Sequence, residues 1–317
     1  MHEVAKWASP VDRVRWGVAM VPHARAVVVP VLLVSAIAVC GCATAPRRLP
    51  HGGNELSQSP EIDNFSRAFG DAQMPCLSTP TLTARARVRG TVERRRIDSL
   101  LWVGVDVSGD AGIGRVRLET ADHDPSHFSL LATYAFGSDR KDEATLVLPG
   151  GRQVVRFRTR ELVELVLGAP LSALDLLNVF SGCPLGRGGG ELRFERFDAN
   201  TMKMITTGET VVEVFMRRPG SGSPWTVFAT VASMPGRPIR WRADAGERSG
   251  GVLESVRLTS LEWNGEAGRR FDVMFSLDHV QTPAPSAEMF TVPLPESAEF
   301  VAIDAVRLNR LRPLLAD

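Results

Sequence analysis

Residues 82–92 (LTARARVRGTV) alternate in two-residue phase: Leu82, Ala84, Ala86, Val88 and Val92 fall on one side, and Arg85, Arg87 and Arg89 on the other. A helix would scatter these residues around its circumference, whereas a strand sorts them onto two faces. One apolar face and one charged face is the signature of an antiparallel sheet with one solvated side. The period returns in residues 96–107, with Leu101, Val103, Val105 and Val107 in phase. It returns again from Arg115, where Val116 and Leu118 alternate with Arg115, Arg117 and Glu119. Residues 128–136, 144–148 and 153–157 extend the meander, with turns at 109–114 (GDAGIG), 137–139 and 150–151.

The period then changes. Residues 159–167 read as a helix, with Leu162, Leu165 and Val166 on one side and Gly168 as its stop. Ser172-Ala173-Leu174-Asp175 has the form of a capping box, and the helix it starts carries Leu174, Leu177 and Phe180 inward to Gly182. After a Gly-rich connector (186–190), strand signals resume at Ile205, 212–216, 225–231, 239–243, 253–263 and 271–277. GSGS (220–223) reads as a hairpin tip. Upstream, Ser59-Pro60-Glu61 starts a short helix that presents Ile62, Phe65 and Phe69 on one face. Gly70 is its expected end, and Cys76 is expected in the loop that follows. The expected fold class is α+β, mainly β: a large curved antiparallel sheet, an open half-barrel, with short helices as a lid.

A basic start (Arg13, Arg15, Arg25) leads into an apolar run, residues 26–39, closed by Val39-Cys40-Gly41-Cys42. The run is about 15 residues and broken by Pro30, shorter than the ~20 a spanning helix needs, and has the form of an export signal. Its end resembles the lipobox of bacterial lipoproteins. That resemblance implies cleavage before Cys42 and acyl chains on it, so that the chain is held to a membrane without crossing it. Ala43, where retained lipoproteins carry Asp, implies the periplasmic face of the outer membrane. The expected domains are a signal peptide (1–41), a Pro- and Gly-rich flexible tether (42–58), the folded domain (59–303) and a tail (304–317). In an exported, oxidising compartment the remaining cysteines, Cys76 and Cys183, are expected to form a disulfide.

The stretch SALDLLNVFSGCPL (172–185), preceded by LVLG (165–168), resembles the lipoprotein-localisation family of the periplasmic carrier LolA and the outer-membrane receptor LolB, with a LolB-like Leu-rich helix pair closing on Gly-x-Pro. TARARVRG (83–90) resembles that family's first strand, and FTVPLPESAEF (290–300) its closing strand and turn. Val179-Phe180 stands where the receptor's second helix carries Trp, and the Cys76 and Cys183 pair is foreign to the family pattern. The resemblance implies an apolar cavity for acyl chains. Its candidate lining is Val88, Val103, Val105, Val116 and Leu118 from strands, with Leu162, Val166, Leu174 and Leu177 from the lid. It also implies a membrane-entering loop, for which Ile113 is the candidate.

The expected partners are lipid or acyl chains, the membrane through the N-terminal anchor, and other lipoproteins or an envelope carrier. Net charge near zero gives no reason to expect nucleic acid. No G-x-S-x-G, H-E-x-x-H or G-x-x-x-x-G-K-[ST] occurs, so neither enzyme activity nor a cofactor is expected. Asp122, His123, Asp124 and His127 group ligand-type side chains in a turn, but no metal is assigned to them; Asp106 and Asp110 are read as solvent-facing acids beside a turn. The alternative reading is a structural envelope lipoprotein whose half-barrel docks a protein partner.

Overall fold

The computed structural model describes residues 48–302 apart from 58, 78–80, 93–94, 108–112, 121–127, 136–141, 149–151, 168, 184–190, 209, 235–239, 250–251, 262–270, 283–286, 293 and 295. A short strand β1 (Asn54–Glu55) precedes helix α1 (Ser59–Leu77). Six strands follow as an antiparallel meander: β2 (Thr81–Val92), β3 (Arg95–Asp106), β4 (Ile113–Thr120), β5 (Ser129–Ala135), β6 (Glu143–Val147) and β7 (Gln153–Arg158). Helices α2 (Thr159–Leu167) and α3 (Ala173–Ser181) come next. The second run comprises β8 (Leu192–Arg196), β9 (Thr201–Thr206), β10 (Val211–Arg217), β11 (Thr226–Ser233), β12 (Arg240–Ala245), a small hairpin β13 (Arg248–Ser249) and β14 (Val252–Leu253), then β15 (Ser255–Ser260) and β16 (Phe271–Gln281). A 3-10 turn (Ala287–Phe290) and β17 (Glu299–Phe300) end the described chain.

Fifteen of these strands form one sheet, in the order β1-β8-β9-β10-β11-β12-β15-β16-β2-β3-β4-β5-β6-β7-β17. The two sequence runs are halves of that sheet, joined where β16 pairs antiparallel with β2. The alternation in residues 82–92 is realised: Ala84, Ala86 and Val88 are buried while Arg87 and Arg89 are exposed. Phe271, Val273, Phe275 and Leu277 of β16 continue the same buried face.

All three helices cover that face. Phe65 of α1 packs against Phe194 of β8 and Trp225, α2 sits on β6 and β7, and α3 on β3, β4 and β5. The residues around α3 also include Val227, Trp241 and Val256 from β11, β12 and β15. From β5 to β11 is seven strand steps, roughly 34 Å in a flat sheet, and a helix is only about 10–12 Å across. One helix reaches both only because the sheet curls around it. The fold is thus mainly β with short helices on the inner face of a curled, open antiparallel sheet, as the sequence led us to expect.

Several local expectations are corrected. Gly70 does not end α1: the apolar stripe of Ile62, Phe65 and Phe69 continues to buried Ala72, so packing carries the helix on to Leu77 and puts Cys76 in its last turn instead of a loop. Ile113 is not a turn residue but opens β4, half-buried and paired with Ala135. Asp106 is buried, 3.9 Å from the guanidinium of Arg115, because β4 pairs beside it; Asp110 lies outside the described residues. Part of the expected tether is anchored to the sheet: Asn54 and Glu55 pair with β8, Leu56 is buried and Leu49 packs on an apolar cluster. The expected closing strand is only two residues long and pairs parallel with β7.

Both ends of the domain cross the outer, charged face. At the C-terminal end, Phe290 is buried over Gly104, where an added Cβ would lie 3.3 Å from the ring. Arg117 donates to the carbonyls of Met289 and Thr291 at 3.3 and 2.9 Å. This strap leads the chain from the sheet's centre to its β7 edge.

Candidate functional site: the inner face beneath helix α3

Helix α3 is defined at both ends by its sequence. Ser172 is its N-cap: its hydroxyl accepts from the Asp175 N–H at 3.1 Å, and the Asp175 carboxylate accepts from the Ser172 N–H at 2.9 Å. Asp142, just before β6, accepts the Ala173 N–H at 3.1 Å, and its backbone carbonyl accepts the Thr159 N–H that starts α2. Burial raises the pKa of the Asp142 carboxyl, partly offset by the Thr159 side chain, the Ala173 N–H and Arg160. At the other end Gly182 takes the left-handed conformation, φ 67°, which closes a helix without a Cβ penalty. The guanidinium of Arg248, on the β13–β14 hairpin, donates to the Gly182 carbonyl. A Cβ at Gly182 would come within 2.4 Å of that guanidinium, and burial lowers the pKa of Arg248.

Along its length α3 is buried on nearly every side: Leu174, Leu176, Leu177, Val179 and Phe180 are all 4% exposed or less. Phe180 meets Phe275 of β16 edge to face, with centroids 5.2 Å apart. Val88, Val103, Val105, Val116, Leu118, Leu162 and Leu177 belong to one buried cluster, and Leu174 is buried beside them. Each of these is 2% exposed or less. The side chain of Val166 lies outside the described ones. So do Cys42, the side chain of Cys76, the Gly-rich connector 186–190, and the group Asp122, His123, Asp124 and His127. Cys183 is buried directly after the Gly182 cap.

Open space lies on the other side of α3. A crevice of about 20 Å³ runs between its C-terminal half and the inner faces of β11, β12 and β15, lined by Val179, Cys183, Val227, Trp241, Ala243 and Val256, with Asn178 and Thr230 as its polar members. That holds about one water molecule. These second-half residues carry the same alternation as the first half. The sequence did not single them out, because only the curl of the sheet brings them to α3. Among the described residues no three His, Cys, Asp or Glu side chains gather as a metal site, and no helix is long and apolar enough to cross a membrane.

No family model and no curated protein matches the chain. Solved structures do. A DUF1329 family protein from Desulfovibrio piger aligns with a TM-score of 0.51 and 9% identity over 71% of this chain and 96% of its own. A domain from Vibrio parahaemolyticus assigned to outer membrane lipoprotein sorting aligns with a TM-score of 0.49 and 11% identity, over 70% of this chain and 95% of its own. At 9% identity the first likeness establishes the fold and nothing finer.

Proposed function

We propose that this chain is a non-enzymatic, lipid-anchored envelope protein that takes up lipid, or the acyl chains of other lipoproteins, beneath α3. The observation that carries this reading is the seating of one short, separately capped helix over the apolar inner face of a curled sheet, with a crevice along one flank. As it stands the crevice is far smaller than an acyl chain, so entry requires α3 to lift from β11, β12 and β15. The energetics allow this: burying about 14 methylenes at about 0.8 kcal/mol each gives roughly 11 kcal/mol, comparable to the whole stability of many domains. The ligand enters on the second-half flank and then reaches Leu118, Val116 and Leu177 from within. The anchor on Cys42 and the outer-membrane location are part of this proposal and rest on the leader sequence.

The test is to purify the soluble chain from Ala43 onward, extract it and look for stoichiometric phospholipid or fatty acid by mass spectrometry, then titrate it with a fluorescent acyl probe. Saturable binding that is lost in Ala245→Trp, a bulky change at a residue lining the crevice, supports the proposal. A protein without lipid and without probe binding defeats it. The sealed packing of the first-half residues favours a second reading, in which the domain is a solid docking platform for an envelope protein. In that case Ala245→Trp leaves partner capture unchanged.

A further inference from the structure

The place where the chain enters the folded domain is fixed by packing well before α1. Asn54 and Glu55 pair with Arg196 and Glu195 at the sheet edge, and Leu56 is buried in the main core. From there back toward the N-terminus the chain moves onto the outer face. Gly53 lies against the Phe197 ring and Glu195, and Leu49 packs on a second, smaller apolar cluster of Phe215, Phe228, Ala229 and Val231. Aromatic contacts hold this cluster together: Phe197 stacks on Phe215 at 6.3 Å, and Phe228 lies 6.1 Å from Phe215. The chain therefore leaves the domain over β10 and β11, on the side of the sheet opposite to α3.

Arg48 and Cys42 are six residues apart, a reach of at most about 20 Å fully extended. A compact domain of this size is roughly 45 Å across. A tether shorter than the domain cannot let the opposite face turn to the surface that holds Cys42. The chemistry at the exit suits a headgroup layer. Of its acids, Glu195 and Glu213 share Lys203 at 2.8 and 3.0 Å and Asp244 meets Arg242, while Glu55 and Asp198 are exposed. Arg48 and Arg217 are exposed. The Arg217 guanidinium lies over the Phe228 ring at 5.6 Å.

We infer that the outer face of β9–β12 around Leu49 is a membrane-apposed surface seated on anionic phospholipid, so that α3 and its crevice open away from the bilayer. The inference rests on the acylation of Cys42 in the proposed function and adds to it an orientation. That orientation points the uptake site at the aqueous compartment, where a soluble donor or acceptor would meet it.

The experiment uses the full chain, processed in a bacterial host and reconstituted in phosphatidylethanolamine–phosphatidylglycerol vesicles. A benzophenone amino acid replaces His51, exposed beside the exit, or Phe157, exposed on β7 near the other end of the sheet. Vesicle flotation is measured first, then phospholipid adducts after irradiation. Adducts several-fold more abundant at position 51 than at 157 are expected. Floating protein with equal adducts, or with more at 157, overturns the orientation while leaving the anchor intact. Protein that does not float removes the anchor, and the orientation with it.

Discussion

One substitution, glycine to alanine, should have opposite effects at two positions of this chain. Gly90 lies in β2 at the seam between the two halves of the sheet, between Val273 of β16 and Ile97 of β3. Its φ is +152°, and a Cβ there would lie 2.0 Å from the Asp272 carbonyl oxygen and 2.8 Å from the Cα of Val273. Both atoms are backbone, so no side chain can swing aside; β16 must move or β2 must change conformation. Staying at positive φ costs a strain of about 1–3 kcal/mol, and pushing β16 away breaks one or two ladder hydrogen bonds at about 1 kcal/mol each. We expect Gly90→Ala to cost about 2–5 kcal/mol, both effects together. For a domain of this size that is a fall of roughly 4–20 °C in Tm. Gly70 sits inside α1 with nothing within 4 Å of its would-be Cβ. There alanine should add about 1 kcal/mol, the ordinary helix preference. Urea and thermal melts of both variants, in the soluble chain from Ala43, test the pair. A Gly90→Ala protein as stable as the parent, or a Gly70→Ala protein less stable than it, would refute the reasoning.

Other expectations concern the lid and the strap. Folding raises the Asp142 pKa, so the folded protein holds that proton more tightly than the unfolded chain. Its stabilising effect is complete below the unfolded value and is lost as pH rises through the raised folded value; Asp142→Asn should flatten stability against pH in that window, read by urea melts at stepped pH. Ser172→Ala removes an N-cap and should cost about 1 kcal/mol, with hydrogen exchange accelerated first in α3. Phe290→Ala should cost about 3 kcal/mol and expose Gly104 and Arg117 to exchange, leaving α3 protected. Thiol titration of the denatured, unreduced mature protein should find no free Cys76 or Cys183, and reduction should cost about 5 kcal/mol by the loop-entropy model.

The parts legible in the sequence were those whose signal is local. The two-residue phase of residues 82–92 gave the strand and its buried side, and Ser172 with Asp175 and Gly182 gave α3 to the residue. Gly70 misled because a glycine stops a helix only where the apolar stripe also stops, and Ala72 extends it. β8 was missed because Leu192 and Arg193 are exposed at the sheet margin, so their alternation carries little apolar contrast. The crevice was hidden for a different reason. Val227, Trp241 and Val256 meet α3 only through a curl set by many strands together, and no window of sequence contains it.

The seam has a consequence for the order of assembly. Arg85 and Asp278, bidentate across β2 and β16 at 2.9 and 3.0 Å, are 193 residues apart. A chain emerging N-terminus first completes β2 through β7 long before β16 exists, so the middle strand of the finished sheet begins as an unprotected margin. Pairings so distant in sequence form slowly, and a bare margin invites other chains. Arg87 and Arg89 already sit beside Asp98 of β3, so the charge left waiting on that margin is that of Arg85, which later meets Asp278. On this view Arg85, part of the alternation that first revealed the sheet, also helps keep its unfinished half from pairing with a neighbour.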